Sequence, residues 1–120
     1  MNWLFLGALG GALAVIAGAF GAHALAARLE PRELQLWETA ARYLMYGGLA
    51  LVAVGLARLH GLARGIDAAG WCLLVGSVIF SGTVFGLALG GPRVLGAVTP
   101  LGGTLMIVGF LLFAWAALKP

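Results

Sequence analysis

The chain alternates long apolar stretches with short polar ones. Runs without a charged side chain cover residues 1–27, 43–57, 68–92 and 94–118. Twenty-seven helical residues at 1.5 Å each reach about 40 Å, enough to cross a bilayer core of about 30 Å. The second run is short. Widening it to 39–58 takes in Arg42 and Arg58, whose long side chains snorkel to the headgroups at either end. The pattern predicts an all-α integral membrane protein. Four transmembrane helices, at about 2–26, 39–58, 69–90 and 99–118, form an up-down bundle, one membrane domain over 1–120.

The segments between the runs add detail. Pro31 suits the first position of a helix. Leu34, Trp37 and Ala41 recur on one face while Arg32, Glu33 and Gln35 point elsewhere, which predicts a short amphipathic interfacial helix running into the second span. Glu38 and Arg42 stand four apart in the order that favours an ion pair. Thr99 followed by Pro100 reads as an N-cap and first-turn pair opening the fourth helix. The other reading starts that helix near Arg93 and kinks it at Pro100. In an up-down arrangement Trp3, Trp71 and Trp115 fall on one membrane face, and Trp37, Tyr43 and Tyr46 on the other, as interfacial belts require. Residues 22–24 and 24–26 have the small-x-small form of a signal-peptide cleavage site. The first run lacks a basic leader and is too long for a signal core, so it reads as a retained span.

Composition narrows the function classes. The chain is 62% hydrophobic and 9% charged, against roughly 25% charged in soluble domains, so it cannot build a water-facing surface. Its seven Lys and Arg are scattered, which excludes a nucleic-acid face. Arg58, Arg64 and Lys119 fall on the N-terminal side and Arg28, Arg32, Arg42 and Arg93 on the other, so the positive-inside rule gives no orientation. One cysteine, Cys72, excludes an intramolecular disulfide and a cysteine metal site. His23 and His60 fall on opposite sides, so neither a metal nor another cofactor is expected.

Twenty glycines are far above the usual share of roughly 7%. In lipid, small residues let helix backbones approach closely. Gly7, Gly11, Ala14 and Gly18 form one stripe, and Gly82, Gly86 and Gly90 another. These stripes are expected to pack within the bundle, or to leave one face outward for an oligomer. Among polar residues at membrane depth, Ser81 and Thr83 face different directions and are expected to bond back to carbonyls one turn earlier. His23 either caps its helix end or serves as a proton-responsive or ligand-binding group. No span holds a buried carboxylate, and no nucleophile has a base at workable depth; no catalytic residue is assigned.

Four stretches together resemble the family catalogued as domain of unknown function 423, related to the transmembrane protein 256 group. They are Gly18-Ala19-Phe20-Gly21-Ala22-His23, Thr39-Ala40-Ala41-Arg42-Tyr43 with Met45-Tyr46, Phe80-Ser81-Gly82, and Thr99-Pro100-Leu101-Gly102-Gly103. The resemblance implies a bacterial four-helix protein of the plasma (inner) membrane with no established activity. Leu44 and Gly47 stand where the family often has Gln and His, and Phe85 where it often has Tyr. It also implies that His23, Thr39, Arg42, Tyr43, Ser81 and Thr99 gather in a half-membrane-deep polar pocket, floored by Gly82, Gly102 and Gly103. The leading expectation is a non-catalytic packing, accessory or assembly component. Its partners are the lipid bilayer and either further copies of itself or a membrane complex. The alternative is an oligomeric channel or carrier for a small solute or lipid, lined by Ser81, Thr83, Thr99 and Thr104. An enzyme would need His23 or Cys72 to open onto a pocket with a second reactive group.

Overall fold

The computed structural model describes residues 1–118. Lys119, counted above among the cations of the N-terminal side, lies outside the described residues. Four helices, each long and apolar enough to cross a membrane, run up and down. Helix α1 spans Trp3–Phe20 and continues through a widened π turn, Gly21–Leu25. Helix α2 spans Pro31–Leu59, α3 Ile66–Ala88 and α4 Val94–Leu118.

Local chemistry sets most of the ends. The Asn2 side chain accepts from the Phe5 N–H and caps α1. Glu30 and Glu33 form a reciprocal capping box around Pro31, so the amphipathic stretch and the second span are one continuous helix of 29 residues. Two helices stop by the same device. Gly61 (φ 106°) follows α2, with Leu62 N–H bonded to Ala57 O and Gly61 N–H to Arg58 O. Gly90 (φ 87°) follows α3, with Gly91 N–H on Gly86 O and Gly90 N–H on Leu87 O. Both are Schellman ends, which need a residue free to take the left-handed conformation.

The fourth helix begins at Val94, not at Thr99. The Thr99 hydroxyl bonds back to Leu95 O at 2.9 Å instead of capping a helix start. Pro100 removes one backbone donor inside the helix. The apolar surround continues on both sides of it, and membrane helices tolerate this loss.

The helices meet in chain order. Helix α1 packs on α2, α2 on α3 and α3 on α4, while α2 touches α4 lightly and α1 and α4 do not pack together. The result is a folded row, 51 × 27 × 19 Å, whose unequal cross-section differs from that of a square bundle. The core cluster of Trp3, Ala50, Leu51, Val54, Ile66, Leu73 and Ala116 lies toward the end where α1 starts and α4 finishes. The edge helices leave Phe5, Leu13, Ile16, Leu101, Ile107 and Leu111 exposed, as lipid-facing residues should be.

Close backbone approach between helices occurs across two helix pairs, α1 with α2 and α3 with α4. A Cβ on Gly7 would lie 2.6 Å from Gly48 O, and one on Gly48 would lie 2.8 Å from Gly11 N and 3.0 Å from Gly7 O. Between α3 and α4, a Cβ on Gly76 would lie 2.7 Å from Met106 N and 2.8 Å from Gly102 O. Gly7 and Gly11 therefore lie on the α1–α2 contact. Gly18 does not, since a Cβ there meets nothing within 4 Å. On α3, Gly86 seats Leu95, but Gly82 is open and Gly90 ends the helix. The packing face of α3 toward α4 passes through Gly76, six residues or about one and two-thirds turns before Gly82.

Gly48→Ala should lower stability by about 1–3 kcal/mol, the range for forced overpacking, seen as an earlier loss of the monodisperse species on heating in detergent. Gly82→Ala should leave the transition unchanged or raise it slightly.

Candidate functional site

The polar residues of the half that holds the first and third loops are distributed rather than gathered. Ser81 is 2% exposed, and its hydroxyl donates across the helix interface to Ala40 O at 2.8 Å. This is a correction: the expected bond back along its own helix is replaced by a link between α2 and α3. Thr83 does bond back, to Ile79 O at 2.8 Å, and also meets the Thr99 hydroxyl at 2.6 Å, joining α3 to α4. Thr104 bonds to Pro100 O at 2.8 Å. Thr39 is half-buried on α2. Tyr43 stacks between Tyr46 and Phe80, with ring centroids 5.1 and 4.5 Å away. Arg42 is exposed and lines a different groove, between α1 and α2.

His23 is exposed on the π turn, with no hydrogen-bond partner among the described residues, so it neither caps the helix nor joins the others. The motif around it has a packing reason instead. The Trp37 indole lies against Gly21, where a Cβ would come within 2.6 Å of Cδ1, and its Nε1–H donates to Ala17 O at 2.7 Å. Trp37 also meets Phe85 edge-on at 4.5 Å. Gly102 is buried against the backbone of Phe80, and Gly82 meets nothing, so the expected glycine floor is absent. The six residues therefore share no single pocket among the described residues.

Two grooves with distinct chemistry are present in this half. One, of about 380 Å³, is apolar and lined by Tyr43, Tyr46, Phe80, Gly103, Met106, Ile107 and Phe110. The other, of about 300 Å³, is lined by Ala14, Gly18, Glu38, Ala41, Arg42 and Met45. Glu38 and Arg42 do not form the ion pair their spacing allows.

The opposite end holds a polar node that the sequence pattern does not reveal. Trp3 is 1% exposed, and its Nε1–H donates to Asp67 Oδ1 at 2.9 Å. The other carboxylate oxygen of Asp67 pairs with Arg58. Gly70 makes room for the indole, since a Cβ there would lie 2.6 Å from the Trp3 ring. Trp71 meets that ring edge-on at 5.5 Å. One indole thus ties the start of α1 to the end of α2 and the start of α3. Trp3 reads from sequence as a belt residue; in the structure it is buried. Trp71 and Trp115 are 47% and 44% exposed and remain suited to a belt. The signal available in advance was the pairing of Arg58 and Asp67 across one short loop.

The family described as "Protein of unknown function (DUF423)" matches residues 17–103. The chain belongs to the DUF423 family. A UPF0382 membrane protein of Staphylococcus epidermidis is 45% identical over 98% of this chain and 95% of its own length. The UPF0382 membrane protein YwdK of Bacillus subtilis is 39% identical over 98% of this chain and 96% of its own. No solved structure matches. The DUF423 chain is a membrane protein with four helices fit to span, and its family name carries no activity.

The DUF423 geometry identifies structural links that mutation can separate. Trp3→Ala, which empties an indole-sized space, should cost about 3–5 kcal/mol. Trp3→Phe, which keeps most of the ring and loses the N–H, should cost less. Ser81→Ala should cost about 0.6 kcal/mol, the average for interhelical side-chain hydrogen bonds in membranes. Thermal unfolding followed by near-ultraviolet circular dichroism in detergent ranks the three.

Proposed function

We propose that this DUF423 protein is a non-catalytic packing, accessory or assembly component of the bacterial plasma (inner) membrane. The observation that carries the reading is how its hydroxyls are used. Ser77 bonds to Leu73 O, Ser81 to Ala40 O, and Thr83 and Thr99 to backbone carbonyls and to each other. Ser81 and the Thr83–Thr99 pair join helices, and the other bonds satisfy the hydroxyls within their own helices, so these groups are paired inside the protein rather than turned toward a path. Helices α1 and α4 meanwhile keep broad apolar faces uncovered at the two edges of the row. The bacterial relatives, named as membrane proteins, support the location.

One observation favours the second reading, a carrier or oligomeric channel. The apolar groove at Tyr43, Tyr46 and Phe80 has room for a stretch of acyl chain.

Purification from native membranes in mild detergent, with mass spectrometry of the co-purifying proteins and lipids, tests the first reading. A reproducible membrane-protein partner or a defined homo-oligomer is expected. A monomer without partner that moves lipid or solute across reconstituted vesicles contradicts the first reading and supports the second.

A further inference from the structure

The groove between α1 and α2 holds two charges of opposite sign. Glu38 and Arg42 both line it and both are exposed, with no ion pair or hydrogen bond to either among the described residues. Gly18, opposite them on α1, lies seven residues before Leu25, where the first span ends. At 1.5 Å per residue that is about 10 Å from the end of that helix, with Glu38 one turn closer to the loop than Arg42. Near the end of a span long charged side chains reach the headgroups, and a partner of opposite charge offers both groups a direct ion pair. The groove floor is also small-sided, with Ala14, Gly18 and Ala41, and a Cβ on Gly18 meets nothing within 4 Å. A neighbouring helix can approach closely here.

We propose that a second copy of this chain docks on this face, with Glu38 of each protomer paired to Arg42 of the other. The inference rests on the packing reading above and names its partner. Charge chooses the occupant. An anionic headgroup would pair with Arg42 but meet repulsion from Glu38 four residues away. A second copy related by a two-fold axis satisfies both charges at once, because the face carries one of each sign and is self-complementary. Depth chooses the orientation. Both charges lie in the same half of the span, so protomers inserted in the same direction bring them to matching heights. The four-residue offset is about 6 Å along the helix, a step that long charged side chains cross in parallel coiled coils. An inverted partner would hold its charges in the other half of the membrane, out of reach.

Energy transfer between donor- and acceptor-labelled full-length protein, diluted in phospholipid vesicles, tests the pairing. Wild type should show saturable transfer at dimer stoichiometry. E38R alone and R42E alone place like charges together and should each self-associate at least about tenfold more weakly. An equal mixture of E38R and R42E should recover the transfer. Gly18→Leu should abolish it while keeping the wild-type melting temperature, since the site is empty within the protomer. A monomeric wild type, a mixture no better than its components, or transfer that survives Gly18→Leu overturns the proposal. A monomeric wild type that still co-purifies with another membrane protein overturns the self-pairing alone and leaves the packing reading standing.

Discussion

The structure depends on helix backbones coming close enough to touch at glycine. In lipid, the hydrophobic effect does not press one helix against another, so dispersion contact and a few interhelical hydrogen bonds must do it. Gly7, Gly11 and Gly48 bring α1 onto α2, and Gly76 and Gly102 bring α3 onto α4. The middle interface is made differently. Ser77 sits where a Cβ on Gly47 would go, and Ser81 donates to Ala40 O, so α2 and α3 are joined by small polar residues. Two glycine-seated hairpins on a serine-lined seam give the row its order. They also leave α1 and α4 as edges with one packed face each.

The aromatic residues lock what the glycines allow. Trp37 fills the notch at Gly21 and bonds to a carbonyl of α1, and the same turn widens to π geometry. Trp3 fills the notch at Gly70 and reaches Asp67. Each indole pairs a missing side chain on one helix with a hydrogen bond at its own edge. At both ends of the helices, then, a tryptophan and a glycine join two helices, α1 to α2 at one end and α1 to α3 at the other.

Much of this was legible in the residues. The four helices follow from charge-free runs of membrane length, and the family from motifs spread over all four spans in order. Pro31 marked the start of α2, while the capping box that Glu30 and Glu33 form around it was not read from the residues. What was not legible has a common cause: a small residue says that something comes close, not what. Spacing put Gly82 on a packing face, yet α3 turns Gly76 toward α4 and leaves Gly82 open. Thr99-Pro100 looked like a helix start because the same two residues also fit inside a membrane helix, with the hydroxyl bonding backward. His23, Thr39, Arg42, Tyr43 and Thr99 fall toward the first- and third-loop side with Ser81 nearer the middle of its span, but position along a helix does not fix direction around it. His23 ends exposed, Ser81 faces α2, and Thr99 faces Thr83. Trp3 and Asp67 are 64 residues apart, and no local rule joins them.

The central claim is that the helices form a row with α1 and α4 at opposite edges. Spin labels at Ile16 on α1 and Val108 on α4, in protein diluted with unlabelled chain in lipid nanodiscs, measure it by double electron–electron resonance. The row predicts a distance set by two intervening helices, well beyond the single spacing of roughly 8–10 Å between packed neighbours. A distribution centred at one such spacing would mean that α1 and α4 close the bundle, and would contradict the account.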